Sequence, residues 1–139
     1  MKYFLDSSFI LALIIKTDEN HEKAVELFDI IDQDCYINHN VLNEVLTLTG
    51  RKIDIFAAKE LFYTLIDNFT LLNEYSIAEY NENTFMIFEK YIGENSKKAK
   101  FSFTDSSIIL TMKEFGINKL VSFDKEFKRV EDIEFISKN

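Results

Sequence analysis

Four carboxylates in this chain stand where chemistry could use them: Asp6 in LDSSFILALI, Glu44 in NHNVLNEVLTLT, Asp105 in FSFTDSSII and Asp124 in LVSFDKEF. Asp6 directly follows the apolar triplet Tyr3-Phe4-Leu5, and Asp124 directly follows Leu120 to Phe123. If both stretches are parallel strands, both acids leave the same edge of a sheet, where open α/β folds place their functional crevice. Asp105 falls in the first turn of a helical pattern leading into the later strand, and Glu44 borders the apolar face of another helix. A crevice holding three or four such groups repels itself and raises its own pKa values unless something positive occupies it. A hard divalent cation such as Mg²⁺, which takes oxygen ligands, answers that need.

Each acid taken alone also has a structural reading. Asp6 and Asp105 are each followed by Ser-Ser at a helix start, where an Asp gains from capping and from the helix dipole. Asp124 could open a turn, and Glu44 could be a solvated helix residue. The joint pattern is what favours a site.

The elements that must position these groups follow from periodicity. Tyr3-Phe4-Leu5 reads as a buried strand and Phe9 to Ile15 as a mostly buried helix begun at Asp6 or Ser7. Asp18 to Gln33 places Ala24, Leu27, Phe28 and Ile31 on one stripe of an amphipathic helix. Cys35-Tyr36-Ile37 is a second strand, after which Asn38 caps a helix closed by Gly50. A further helix spans about Asp54 to Asn68, then a strand Phe69 to Leu72, then a long helix capped by Ser76 and ending near Gly93. The pattern closes with a helix from Thr104 to Phe115, a strand Leu120 to Phe123 and a strand Ile133 to Ile136. Strands repeatedly separated by helices of ten residues or more require crossover connections. The expected fold is therefore a three-layer α/β domain, with a mainly parallel sheet of short strands and helices on both faces.

Composition narrows the function classes. The 139 residues suit one domain over 1–139, and 47% hydrophobic content with 14 Phe and 6 Tyr is ample for a packed core. Cys35 is the only cysteine, so no intrachain disulfide can form. The longest apolar run, Phe9 to Ile15, is far short of a membrane span, and the expected location is cytoplasmic. A net charge of −8 weakens any broad attraction to nucleic acid, so a nucleic-acid role would need local help. Bound cations could supply it, as could the basic clusters Arg51-Lys52, Lys97-Lys98-Lys100 and Lys125 with Lys128-Arg129, which otherwise read as solvated surface. His21 and His39 show no spacing that suggests zinc.

At the four quoted motifs the sequence resembles the PIN-domain nucleases, especially the toxin half of VapBC-type toxin–antitoxin pairs, and the resemblance covers nearly the whole chain. It implies that Asp6, Glu44, Asp105 and Asp124 form an acidic pocket binding Mg²⁺ or Mn²⁺ for RNA cleavage. Ligation falls chiefly to Asp6 and Asp105, while Glu44 and Asp124 complete the shell and orient or deprotonate the attacking water. Ser7 and Thr104 look like the family's small hydroxyl residues beside the pocket, with helix capping as their alternative role. Ser122 departs from the pattern where a Thr is common, but it keeps a hydroxyl. The resemblance also implies a homodimer and an antitoxin whose C-terminal segment lies across the helices near the pocket. Lys97, Lys98 and Lys100, just upstream of Asp105, are expected to contact RNA phosphates.

Two other classes compete. Aspartyl-phosphate chemistry wants a second Asp where this chain has Ser8, or a phosphoacceptor Asp where Asn73-Glu74 follow FTLL, so the fit is poor. A binding module would use the same fold with acids that merely cap helices. Within the nuclease reading, a toxin and a housekeeping RNA-processing enzyme share the same pocket, and the identity of the RNA is not legible.

Overall fold

A computed structural model of the chain describes residues 1–93 and 99–137. Five short strands, β1 (Lys2–Leu5), β2 (Asp34–Asn38), β3 (Thr70–Leu72), β4 (Lys119–Val121) and β5 (Glu134–Ile136), form one sheet in the order β3-β2-β1-β4-β5. Every pairing is parallel, with Tyr3 opposite Cys35 and Lys119, Ile37 opposite Leu71, and Leu120 opposite Phe135. Between strands run α1 (Ser7–Ile14), α2 (His21–Glu26), α3 (His39–Lys52), α4 (Ile55–Asn68), α5 (Tyr80–Ile92) and α6 (Phe103–Glu114). The chain winds outward from β1 to β3 and then returns to β4, on the other side of β1. Right-handed crossovers therefore put α1 to α4 on one face and α5 and α6 on the other, the expected three layers.

The core lies along the central strands. Phe4, Leu5, Ile37 and Leu120 are fully buried, joined by Phe9, Val41, Leu65, Ile108 and Met112 from the helices. Phe101 meets Phe127 edge-on, ring centres 5.7 Å apart, and so clamps the start of α6 to the segment after β4. Cys35 is buried within this core, where burial pushes its thiol up to about 12, so it is an inert apolar residue.

Three expectations need correction. The helix expected over 18–33 is broken: α2 stops at Glu26 and a 3₁₀ turn covers Phe28–Asp32. Its i→i−3 bonds, from Leu27 to Ala24, Ile30 to Leu27 and Gln33 to Ile30, tighten the chain where it must enter β2. Gly50 does not close α3, which runs on to Lys52; it faces Ala58, and a Cβ there would meet that side chain at 3.8 Å. Ser76 does not cap the long helix either. A 3₁₀ turn, Glu74–Ser76, comes first, and α5 starts only after Glu79, whose φ is +53°.

Candidate functional site

Asp6 and Asp124 leave β1 and β4, adjacent strands on which the chain runs away in opposite directions across the sheet, so the fold opens a crevice between them. That crevice is a cleft of about 870 Å³, and Asp6, Glu44, Asp105 and Asp124 all line it, together with Ser7 and Thr104.

Asp6 is 5% exposed and makes no capping bond to α1, although it occupies the N-cap position. Its Oδ2 instead accepts from Ser8 Oγ and Ser122 Oγ, both at 2.7 Å. The two serine oxygens in turn accept backbone N–H groups, Phe123 N to Ser8 at 2.9 Å and Asp124 N to Ser122 at 3.0 Å. Each hydroxyl has one proton, and both are spent on Asp6, so the end of β4 is hung on this carboxylate. Burial raises the Asp6 pKa; the two hydroxyl donors oppose that, and the charges of Glu44 and Asp124 add to it.

Asp105 shares a capping box with Ser102: Ser102 N donates to Asp105 Oδ2 and Asp105 N to Ser102 Oγ, each at 2.9 Å. The cap of α6 is thus Ser102 rather than Thr104. Burial first, then the charges of Asp6 and Asp124, push the Asp105 carboxyl up to about 7 against the hydrogen bonds from Ser102. Glu44 reaches the cleft from α3, where Ser7 Oγ donates to its Oε2 at 2.9 Å. Asp124 Oδ1 caps the 3₁₀ turn Lys125–Arg129 through Glu126 N at 3.0 Å.

One arrangement is common to the four. Hydrogen bonds among the described residues engage a single oxygen of each carboxylate, and none of these bonds takes the other. Capping at Asp105 and Asp124 thus engages one oxygen and does not use up the carboxylate. The donor set is all oxygen, suited to a hard cation, and after burial, the larger cause, the negative charges of Asp6 and Asp124 add to the rise of the Asp105 carboxyl. Among the described residues, no group of three or more His, Cys, Asp or Glu side chains is drawn together closely enough to hold a metal ion. The carboxylates share the cleft without converging on one point.

The remaining sequence candidates divide. Lys100 lines the cleft; Lys97 and Lys98 lie outside the described residues. His21 Nδ1 lies 2.7 Å from Ala12 O, which spends it on the fold. Sequence reasoning missed Asp18 and Glu19 at the cleft rim, which follow no strand, and Asn40, whose side chain donates to Ser107 Oγ at 3.1 Å. It gave the serines after Asp6 only a general supporting part, without naming Ser8 as a site residue, and undervalued Ser122; the signal available was a hydroxyl two residues from each strand-end Asp.

The comparisons agree with this architecture. The family model of the PIN domain matches residues 3–133, so the chain belongs to the PIN domain family. Its fold is that of several toxin–antitoxin proteins. VapC20 of Mycobacterium tuberculosis, described as a sarcin–ricin loop cleaving toxin, is 22% identical, with a TM-score of 0.75 over 95% of this chain and 97% of that one. DNA-bound VapBC from Salmonella typhimurium is 16% identical, with a TM-score of 0.69 over 97% and 96%. VapBC2 from Rickettsia felis, bound to a promoter DNA fragment, is 15% identical, with a TM-score of 0.68 over 97% of each chain. No curated protein matches the sequence.

Proposed function

We propose that this protein is a Mg²⁺- or Mn²⁺-dependent ribonuclease acting as the toxin of a toxin–antitoxin pair. The observation that supports it best is the set of four cleft carboxylates, each fixed through one oxygen, with the other taken by none of those bonds. Asp6 and Asp105 would hold the cation, and Glu44 and Asp124 would complete its surroundings. A divalent cation bound there supplies the positive charge that offsets negative charge building at phosphorus. Glu44, oriented by Ser7, takes the proton of the attacking water at its free Oε1. The water oxygen bonds to phosphorus, one bridging P–O bond breaks, and the leaving oxygen takes a proton from solvent water while Glu44 returns its own to solvent.

The toxin role rests on likeness to the VapBC structures. It carries with it an antitoxin partner, a homodimer and a cytoplasmic location; among the described residues, no helix is long and apolar enough to cross a membrane. A short neighbouring reading frame encoding a DNA-binding protein that blocks cleavage is the expected genetic sign.

Calorimetric titration with Mn²⁺ and cleavage of total cellular RNA test the reading together. Wild type should bind the ion and cut RNA, and Asp6→Asn should do neither while remaining folded. Ion binding indifferent to that substitution would instead make this a binding module.

A further inference from the structure

The cleft does not end at its acids. Glu19, Asn20, Lys100 and Asp124 are shared between it and a second hollow of about 560 Å³, also lined by Lys23, Phe123 and Lys125. Asn20, Lys23, Phe123 and Lys125 are shared in turn with a third hollow of about 210 Å³, completed by Lys128 and Phe135. One continuous trench thus runs from the carboxylates outward over the end of β4, and its sign of charge reverses along the way.

The lysines are available. Lys23, Lys100, Lys125 and Lys128 are exposed, and none forms an ion pair among the described residues. Glu126, which also lines the second hollow, is occupied through one oxygen: its Oε1 accepts Lys100 N at 2.8 Å and Arg129 Nη2 at 3.4 Å. The α3 flank of the cleft, at Asn40, Asn43, Glu44 and Thr47, carries no basic residue. On a chain of net charge −8, four free ammonium groups along one wall are a local exception that a polyanion would find. Phe123 and Phe135, partly buried, add ring surface in the outer hollow, as grooves for single strands do.

We infer that Lys23, Lys125 and Lys128, with Phe123 and Phe135, form a binding path for the phosphates of a single RNA strand on one side of the acidic cleft. The strand then crosses the protein in one direction, with its reacting phosphate at the carboxylates and its flank on the lysines. This rests on the ribonuclease reading, and it concerns residues other than the four acids, although Phe123 and Lys125 flank Asp124.

The test is binding without cleavage. A fluorescein-labelled single-stranded RNA of about 12 nucleotides is titrated by anisotropy in EDTA across a series of salt concentrations, with wild type and with the triple variant K23A/K125A/K128A. Each lost phosphate contact lowers the slope of log K against log salt by about 0.7, so the triple variant should lose about 2 in slope and weaken at least about tenfold at low salt. K59A/K113A, on exposed faces of α4 and α6 outside the trench, is the control and should bind as wild type does. A triple variant with unchanged slope and affinity overturns the path, and so does loss of binding to a poly-glutamate peptide with RNA binding intact, which would make the trench a docking site for an acidic protein. Wild-type cleavage of the same RNA in Mg²⁺ is measured separately. Its absence would sink the ribonuclease reading and leave the salt slope to decide the path.

Discussion

Glu74 and Asp6 are both buried carboxylates that follow strands of the same sheet, and they do opposite things. Glu74, fully buried after β3, spends both oxygens on backbone: His39 N donates to Oε1 at 2.8 Å and Asn40 N to Oε2 at 2.9 Å. It closes the N-terminus of α3, satisfying orphan N–H groups and meeting the positive end of the helix dipole. Asp6, after β1, spends one oxygen on two serine hydroxyls, and neither of these bonds takes the other. Burial alone therefore does not distinguish the two carboxylates; the number of oxygens satisfied by the protein does.

The sharpest way to break that contrast is to neutralise Asp6. Asp6→Asn keeps an oxygen for both serines, so unfolding by urea should shift by less than about 1 kcal/mol, while RNA cleavage falls by about 10³-fold or more. A large stability loss with activity per folded molecule retained would put Asp6 in the same class as Glu74.

Glu74→Ala should give the converse. Removing two charge-assisted bonds leaves two buried N–H groups at the start of α3 unpaired, a loss of about 3 kcal/mol. Mn²⁺ affinity of the folded fraction should change little, as read by titration well below the unfolding midpoint.

A third experiment sharpens the contrast through pH. The Asp105 carboxyl, pushed from 3.8 up to about 7, binds its proton more tightly in the folded state than in the unfolded one. Its contribution to stability is then fully present below the unfolded pKa and lost as pH rises through the folded one. In EDTA, Asp105→Asn, which keeps the capping box, should gain on wild type as pH climbs from 4 toward 8. Saturating Mg²⁺ should narrow or reverse the gap by stabilising wild type alone. A gap independent of pH would mean that the carboxyl is not held protonated by its neighbours.

The contrast also explains what was legible in the sequence. Asp6, Asp105 and Asp124 could be nominated because strand ends and helix starts follow from periodicity, and parallel crossovers bring those ends to one edge; Glu44, inside α3, was nominated from the border of a helix's apolar face and from the resemblance. The all-parallel sheet was readable for the same reason. Glu74 was not, because its task depends on reaching another helix's N-terminus, a contact 35 residues away. The same contact accounts for the late start of α5: the turn that aims Glu74 inward occupies the place where Ser76 was expected to begin a helix. Gly50 misled because a stop signal is local, whereas the packing of α3 on α4 that carries the helix past it is not. The lysine trench was half legible: Lys125 with Lys128 stood out as a basic cluster, but its joining to Lys23 did not, since the two come from elements about a hundred residues apart that meet only once β4 lies beside β1.

The smallest expected effect tests the support around the acids rather than the acids themselves. Ser7 is buried, yet the group it holds, Glu44, stands on an exposed stretch of α3, so their bond ties the cleft side of α1 to a side chain with little packing of its own. Ser7→Ala removes one hydrogen bond to a partner that water can re-solvate, which sets the cost in stability at about 0.5–1 kcal/mol. A freed Glu44 can rotate, so if its free oxygen takes the proton of the attacking water, kcat should fall several-fold with KM unchanged. Ser7→Thr, which keeps the hydroxyl, should recover most of that loss. An Ala variant with unaltered kcat would show that Ser7 fixes only the helix pair, and the orienting role would pass from Glu44 to Asp124, whose pinning through Glu126 N is independent of Ser7.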